Sequence, residues 1–179
     1  MITTSSKATR LMLSYTTFAT DMGWMAILSS ARGLVRLTLP QDSAQGALEL
    51  LDNSLSQTTR SPDSFGDIIS RLRSYFGGGK ADFPDELDLS RATSFQRQVW
   101  QITKLIPYGE SRSYRWVAAQ IGQPNAMRAV GQALAQNPLP IIIPCHRIVA
   151  SNGKRGGYSG GVKMKKHLLF LEASVKPAK

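Results

Sequence analysis

In the first 40 residues hydrophobic positions gather into short strand-like runs separated by turns, and afterwards they follow a helical period. Residues 14–20, 24–29 and 34–39 are rich in β-branched, aromatic and aliphatic side chains, the composition of strands. Ala31-Arg32-Gly33 turns the second run into the third, and Pro40 closes it. Residues 44–51 and 65–76 read as helices. In the latter, Ile68, Leu72 and Phe76 recur at i, i+4 and i+8, on one face of the helical period. Gly77-Gly78-Gly79 ends that helix. Residues 81–91, carrying Asp82, Pro84, Asp85, Glu86 and Asp88, form an acidic connector.

Beyond the connector the pattern is helical. Thr93 caps a helix through Phe95, Val99 and Ile102 that stops at Pro107-Tyr108-Gly109. Ser113 caps a short helix through Ile121, ended by Gly122. Asn125 caps another that runs to about Gln136, where Pro138 stops it. Two short helices joined by a Gly-containing turn make a helix-turn-helix, whose second helix enters a DNA groove. In that second helix Met127, Val130 and Leu134 form a core stripe, while Arg128, Gln132 and Gln136 share another face. Ala126, Ala129 and Ala133 keep further turns slim, so that a backbone can approach. A last helix over 162–173 has Met164, Leu168 and Leu171 as its core stripe and Lys165, Leu169 and Glu172 on a neighbouring face.

The fold class expected is α+β. A small N-terminal α/β domain with a short antiparallel sheet occupies residues 1–80. The connector spans 81–91, a mostly helical domain with the helix-turn-helix spans 92–174, and 175–179 are a tail. The charge supports this division. Residues 1–90 carry 8 Lys/Arg and 10 Asp/Glu, a net of −2, whereas 91–179 carry 14 Lys/Arg against Glu110 and Glu172, a net of +12. So lopsided a split points the second half at a polyanion. Nucleic acid fits best, because clustered Lys and Arg release condensed counterions from phosphate backbones.

Composition excludes other classes. No apolar stretch approaches the roughly 18 residues of a membrane helix, and residues 11–19, interrupted by Ser14, Tyr15, Thr16 and Thr17, make a poor secretory segment. One cysteine excludes an intramolecular disulfide. With His146 and His167 as the two histidines, the usual Cys/His zinc site cannot be assembled within the chain. The expectation is a soluble cytoplasmic protein with no metal and no cofactor.

The sharpest local signal is Ile141-Ile142-Ile143-Pro144-Cys145-His146-Arg147-Ile148-Val149. It reads as a buried extended segment interrupted by its own polar, reactive residues. A lone buried cysteine is ordinarily a small hydrophobe, but an imidazole and a guanidinium follow Cys145, and positive neighbours favour the nucleophilic thiolate. Neighbours on a strand face opposite ways, so Cys145 and His146 need a water or a bend to share a proton. Glu172 is the candidate to orient the imidazole, completing a nucleophile–base–orienter set. Residues 153–161 form a glycine-rich loop able to wrap a planar ligand, with Tyr158 and Ser159 supplying hydroxyls. No strand–GxGxxG–helix unit or phosphate loop is present. Residues 1–90 show no chemistry, which leaves them a structural role.

Pro144-Cys145-His146-Arg147, with Arg128-Ala129-Val130-Gly131 and Asn137-Pro138 before it and Gly157-Tyr158-Ser159-Gly160-Gly161 and Glu172 after it, resembles the O6-alkylguanine-DNA alkyltransferases. The resemblance is strong over about residues 93–173 and weaker at Gly33-Leu34-Val35 and Tyr75-Phe76. It implies a ribonuclease H-like N-terminal domain and a winged-helix-like C-terminal one. It also implies direct-reversal DNA repair. Duplex DNA carrying O6-alkylguanine, or O4-alkylthymine, is bound from the minor groove by a monomer, and the damaged base is flipped into a pocket. Cys145 then takes the alkyl group irreversibly, once per molecule. Cooperative binding along DNA is left open.

The roles that the resemblance assigns are specific. His146, through water, deprotonates Cys145, and Glu172 holds His146. Tyr114 crowds the nucleotide phosphate and donates to the departing guanine, aided by Lys165. Arg128 fills the gap in the stack, and Asn137 ties down the turn after the recognition helix. Arg115, Ala126, Ala129 and Gln132 meet DNA; Pro140, Tyr158, Ser159 and Gly160 line the pocket. Non-catalytic relatives replace the cysteine. Arg115-Trp116 departs from the family pattern, in which a small residue is followed by a polar one, and the zinc ligands of some members have no counterparts. Two other classes are a lesion-binding protein that does not repair and a cysteine hydrolase using Cys145, His146 and Glu172.

Overall fold

The three N-terminal strand runs build a meander: β1 (Leu13–Thr20), β2 (Gly23–Ser30) and β3 (Gly33–Leu37), antiparallel throughout. The structure, a computed structural model, describes residues 12–51, 58–150 and 157–174. β3 stops two residues earlier than expected because Thr38 turns its hydroxyl inward to accept the Ala26 N–H at 2.8 Å. A fourth strand, β4 (Thr58–Arg60), pairs parallel with β1 and completes the order β3-β2-β1-β4. The sequence reading did not include it. Three polar residues on a sheet edge carry no alternation to detect.

β2 is buried on both faces, which explains its continuous apolar run. Ala26 and Leu28 pack with Ala47 and Leu51 on the side of α1 (Ala44–Glu49). Met25 and Ile27 join the main core with Ile68 and Leu72 of α2 (Gly66–Phe76). That core is continuous across the two halves of the chain: Phe18, Leu37 and Tyr75 belong to the same cluster as Trp100, Leu139 and Leu168.

The acidic connector is strapped down. Asp85 takes a two-pronged hydrogen bond from Arg71 at 2.7 and 2.8 Å, and Asp88 accepts from Ser30 and Arg32. Its backbone extends the sheet edge, with Leu34 N donating to Glu86 O and Asp88 N to Leu34 O, both 2.8 Å. Gly33 permits this approach. At its φ of 133° an added Cβ would stand 2.3 Å from Glu86 O.

In the second half α3 (Ser94–Lys104) begins at Thr93 with a reciprocal capping box to Gln96. α4 (Tyr114–Gln120) is capped by Ser113, as expected, and leads into α5 (Met127–Ala135). Asn125 does not cap α5. The turn runs one residue further, closed by Ala126 N donating to Gln123 O, so Ala126 is the cap and offers no side-chain acceptor. The core stripe also shifts. Val130, Ala133 and Leu134 are buried, whereas Met127 is 37% exposed. Trp100 locks α3 to α5 by donating to Ala133 O at 2.9 Å. A two-stranded parallel pair, β5 (Arg112–Ser113) with β6 (Ile148–Val149), joins the start of α4 to the segment that carries the cysteine. α6 (Gly161–Ser174) buries Lys165, Leu168 and Glu172, so its inward face is centred on the polar residues, with Met164 and Leu171 at its flanks.

Candidate active site

The segment from Leu139 to Arg147 is buried throughout, and it is not a strand. Asn137 sets it up: its Oδ1 accepts from Leu139 N at 3.0 Å and its Nδ2 donates to Ile143 O at 2.8 Å. Pro140 and Pro144 lack donors for a ladder. The chain instead makes successive tight turns, Ile143 N to Leu139 O and Cys145 N to Ile143 O, with Ile141 at a φ of 76°. Cys145–Arg147 is a single 3₁₀ turn. Burial on every side erases the periodicity that separates strand from turn. The expectation that Cys145 and His146 face opposite ways therefore fails, since successive 3₁₀ side chains diverge by about 120°.

Cys145 stands at the wall of a cavity of about 730 Å³. Tyr114 of α4, Arg128 and Gln132 of α5, and Tyr158 and Ser159 line the same cavity. Asn137 Nδ2 donates to Sγ at 3.1 Å, so one amide both shapes the turn and contacts the sulfur. Burial pushes the Cys145 thiol up; the Asn137 bond and the Lys165 charge act against it. Lys165 is itself buried, its Nζ donating to Ile148 O and Gly157 O, and burial lowers it to about 8. Arg147 is not a neighbour that activates the thiol, as its place in sequence suggested. Its guanidinium is spent on Glu172 and on Ile106 O.

Behind the cysteine lies a closed polar cluster. Glu172 receives five hydrogen bonds. Oε1 accepts from His146 Nε2 at 2.7 Å, Tyr75 OH at 2.8 Å and Arg147 Nη2 at 3.0 Å; Oε2 accepts from Arg147 Nε at 2.9 Å and Gly109 N at 3.0 Å. Gly109, at a φ of 77°, presents its amide from the loop after α3. Burial alone would raise the Glu172 carboxyl, but the bonds and charges of His146 and Arg147 bring it down to about 2. Burial lowers His146 despite Glu172, so the imidazole is neutral near pH 7. An ionised carboxylate only accepts. Nε2 therefore carries the proton, and Nδ1, which has no partner among the described residues, is the bare basic nitrogen.

The sequence-expected trio of Cys145, His146 and Glu172 is thus brought together, with Asn137 and Lys165 beside it. Arg115 is exposed on α4, and neither it nor Ala126 nor Ala129 lines the cavity. Pro140 is buried and lines an adjoining cavity with Ser159 and Gly160. Trp116 packs against the core with Arg112 over its ring, 5.7 Å from the centroid. Residues 153–156 of the glycine-rich loop lie outside the described residues. Tyr75 was missed altogether. It sits in the half to which no chemistry was assigned; Tyr75-Phe76 carries part of the weaker resemblance there, but the helical pattern gives the tyrosine no role beyond that of a core aromatic.

A buried thiol with an imidazole and a carboxylate behind it, set beside two short helices joined by a tight turn, defines a class of protein that pairs a reactive cysteine with a helix-turn-helix. The family model described as "6-O-methylguanine DNA methyltransferase, DNA binding domain" matches residues 94–174. A Mycobacterium tuberculosis methylated-DNA–protein-cysteine methyltransferase is 40% identical over 167 residues, 93% of this chain and 96% of that one. The constitutive enzyme of Bacillus subtilis is 39% identical over 160 residues, covering 88% and 94%. The solved structure of M. tuberculosis OGT in complex with DNA superposes with a TM-score of 0.77 at 40% identity, covering 90% of this chain and 93% of the other. The chain belongs to the methylated-DNA–protein-cysteine methyltransferase family.

Proposed function

We propose that this protein repairs DNA by moving the alkyl group of O6-alkylguanine onto Cys145, once per molecule. The observation that carries the reading is the placement of the Cys145 sulfur in a cavity walled by the second helix of the helix-turn-helix, with the Glu172–His146 relay behind it. The O6 atom of a stacked guanine cannot reach a buried thiol, so the base must leave the duplex; unstacking costs a few kcal/mol and least for a damaged pair. Arg128, exposed at the cavity rim on α5, fills the gap left behind, and the +12 charge of the second half offsets the cost through phosphate contacts. Arg115, Ala126, Ala129 and Gln132 form the rest of that face. Tyr158 supports a pocket built for a ligand: its ring lines the cavity, and its buried hydroxyl has no partner among the described residues.

In the reaction His146 Nδ1 takes the thiol proton through a water, and Glu172 steadies the imidazolium that results. The thiolate, favoured by the Lys165 charge, attacks the alkyl carbon. An S–C bond forms as the C–O6 bond breaks, and the electron pair leaves with guanine. Burial and the Cys145 charge raise the Tyr114 phenol, so it keeps its proton and can donate it where the negative charge develops. Pro140, Ser159 and Gly160 shape the alkyl end of the site. A thioether offers no leaving group, so the protein acts once. O4-alkylthymine is a second substrate.

The same proposal divides the chain into residues 1–80, 81–91 and 92–174. A ribonuclease H-like N-terminal unit is supported by the meander with its parallel fourth strand. A winged-helix-like unit is supported by the helix-turn-helix with its short β5–β6 pair. The protein acts as a monomer in the cytoplasm, associated with the nucleoid when bound. No helix among the described residues is long and apolar enough to cross a membrane. The test is intact-protein mass after incubation with duplex containing O6-methylguanine. Wild type should gain one methyl group and no more, while Cys145→Ala binds the duplex and gains none. Sustained turnover on excess duplex, or an adduct on the alanine variant, would overturn the reading.

A further inference from the structure

We propose that Tyr75, from the N-terminal half, is a positioning residue of the alkyl transfer: its hydroxyl holds the Glu172 carboxylate, and through it the His146 imidazole, in the arrangement that leaves Nδ1 bare. The inference rests on the alkyl-transfer reading and deepens it. Tyr75 is 1% exposed, and its OH donates to Glu172 Oε1 at 2.8 Å while lying 3.4 Å from His146 Nε2. One hydroxyl thus touches both members of the relay, across 97 residues of chain to Glu172 and 71 to His146. Its ring is held edge-on by Phe76, Phe83 and Tyr108, with centroids 5.4, 6.3 and 6.1 Å away. Packing alone would be served by phenylalanine. A hydroxyl buried this deeply is costly without a partner, and here it has the one carboxylate that matters to the base.

Two effects follow from removing that hydroxyl. Oε1 keeps His146 and Arg147 but loses the donor that pins it from the side of the sheet domain, so the imidazole is held less firmly. The carboxylate charge is also shared among fewer donors, so it holds the proton of the imidazolium more tightly. Protonated His146 is no base. Raising its pKa therefore moves the acid limb of the rate profile to higher pH. Arg147, the other charged group facing Glu172, is always protonated and cannot produce such a limb. Lys165 lies on the thiol side, and its value near 8 places it on the alkaline limb.

The experiment is single-turnover methyl transfer at saturating duplex from about pH 5 to 9, comparing wild type with Tyr75→Phe. The expected result is a plateau about 10- to 150-fold lower, the range of one hydrogen bond to a charged group, with the acid limb displaced upward and DNA affinity unchanged. Leu72→Ala, one turn away on the same helix and buried in the same core, should lower thermal stability without moving the limb. If Tyr75→Phe keeps the wild-type plateau and limb, or if Leu72→Ala moves the limb equally, the inference is overturned. A wild type that transfers no methyl group refutes the alkyl-transfer reading instead. Ring ¹⁵N spectra decide Tyr75 independently and even if the variant does not fold, because the chain has two histidines to assign. Wild-type His146 should show a protonated Nε2, a bare Nδ1 and a slowly exchanging Tyr75 hydroxyl beside the ring; a bare Nε2 or a freely exchanging hydroxyl overturns the proposal.

Discussion

Replacing Glu172 by glutamine changes one oxygen to an amide nitrogen and should cost far more than that suggests. The carboxylate accepts five hydrogen bonds, two of them from the buried Arg147 guanidinium. A glutamine leaves that charge uncompensated and turns an NH₂ towards groups that, the Tyr75 hydroxyl apart, only donate. Removing one partner of a buried ion pair costs about 3–5 kcal/mol. For a chain of this size that lowers Tm by roughly 6–20 °C. The pH dependence supplies a second, independent figure. The Glu172 carboxyl is held at about 2 instead of 4.5, a depression equivalent to roughly 3 kcal/mol. Because the folded value lies below the unfolded one, this stability is fully present above about pH 4.5 and is lost as pH falls towards 2. Thermal unfolding of wild type and Glu172→Gln should therefore show a wide gap at pH 7 that closes through that acid window. A variant as stable as wild type at neutral pH, or a gap that stays constant to pH 2, would refute the account of the cluster.

Two further outcomes follow from the site. Arg128→Ala should slow transfer from duplex DNA at saturating concentration far more than transfer from free O6-benzylguanine, which has no stack to leave; equal slowing would make Arg128 a phosphate contact and nothing more. The Cys145 thiol of the free protein should titrate above an ordinary cysteine, because burial outweighs Asn137 and Lys165. Asn137→Ala, which removes the amide donor to the sulfur, should push it higher still. Alkylation by iodoacetamide followed against pH measures both, and a midpoint at or below that of free cysteine would overturn the balance drawn here.

The chemistry of the second half was legible because it is sparse. One cysteine, two histidines and two glutamates leave few ways to assemble a relay, and the capping residues Thr93 and Ser113 mark their helices plainly. What was hidden had a physical reason in each case. Tyr75 looks like any apolar residue of an amphipathic helix, and its meaning appears only when α6 is packed against it. The segment through Cys145 is apolar enough to pass for a strand, yet two prolines and the Asn137 side chain fold it into turns. Arg147 seemed to serve its neighbour in sequence and serves Glu172 instead. The exposed Thr58–Arg60 strand is polar because it lies at an edge.

The placement of Glu172 on α6 has a consequence for the order of events during folding. Cys145, His146 and Arg147 leave the ribosome together, but the carboxylate that orients the base follows 26 residues after His146, and the hydroxyl that meets it precedes it by 97. Closing loops of those lengths is entropically unfavourable until native packing supports it. A nascent or partly unfolded chain thus carries its thiol without the completed relay, still pushed towards the neutral form wherever apolar contacts have already gathered around it. Competence to react arrives only with the last helix. For a protein whose single chemical act consumes it, full reactivity is thus withheld until both halves of the chain have packed around the carboxylate.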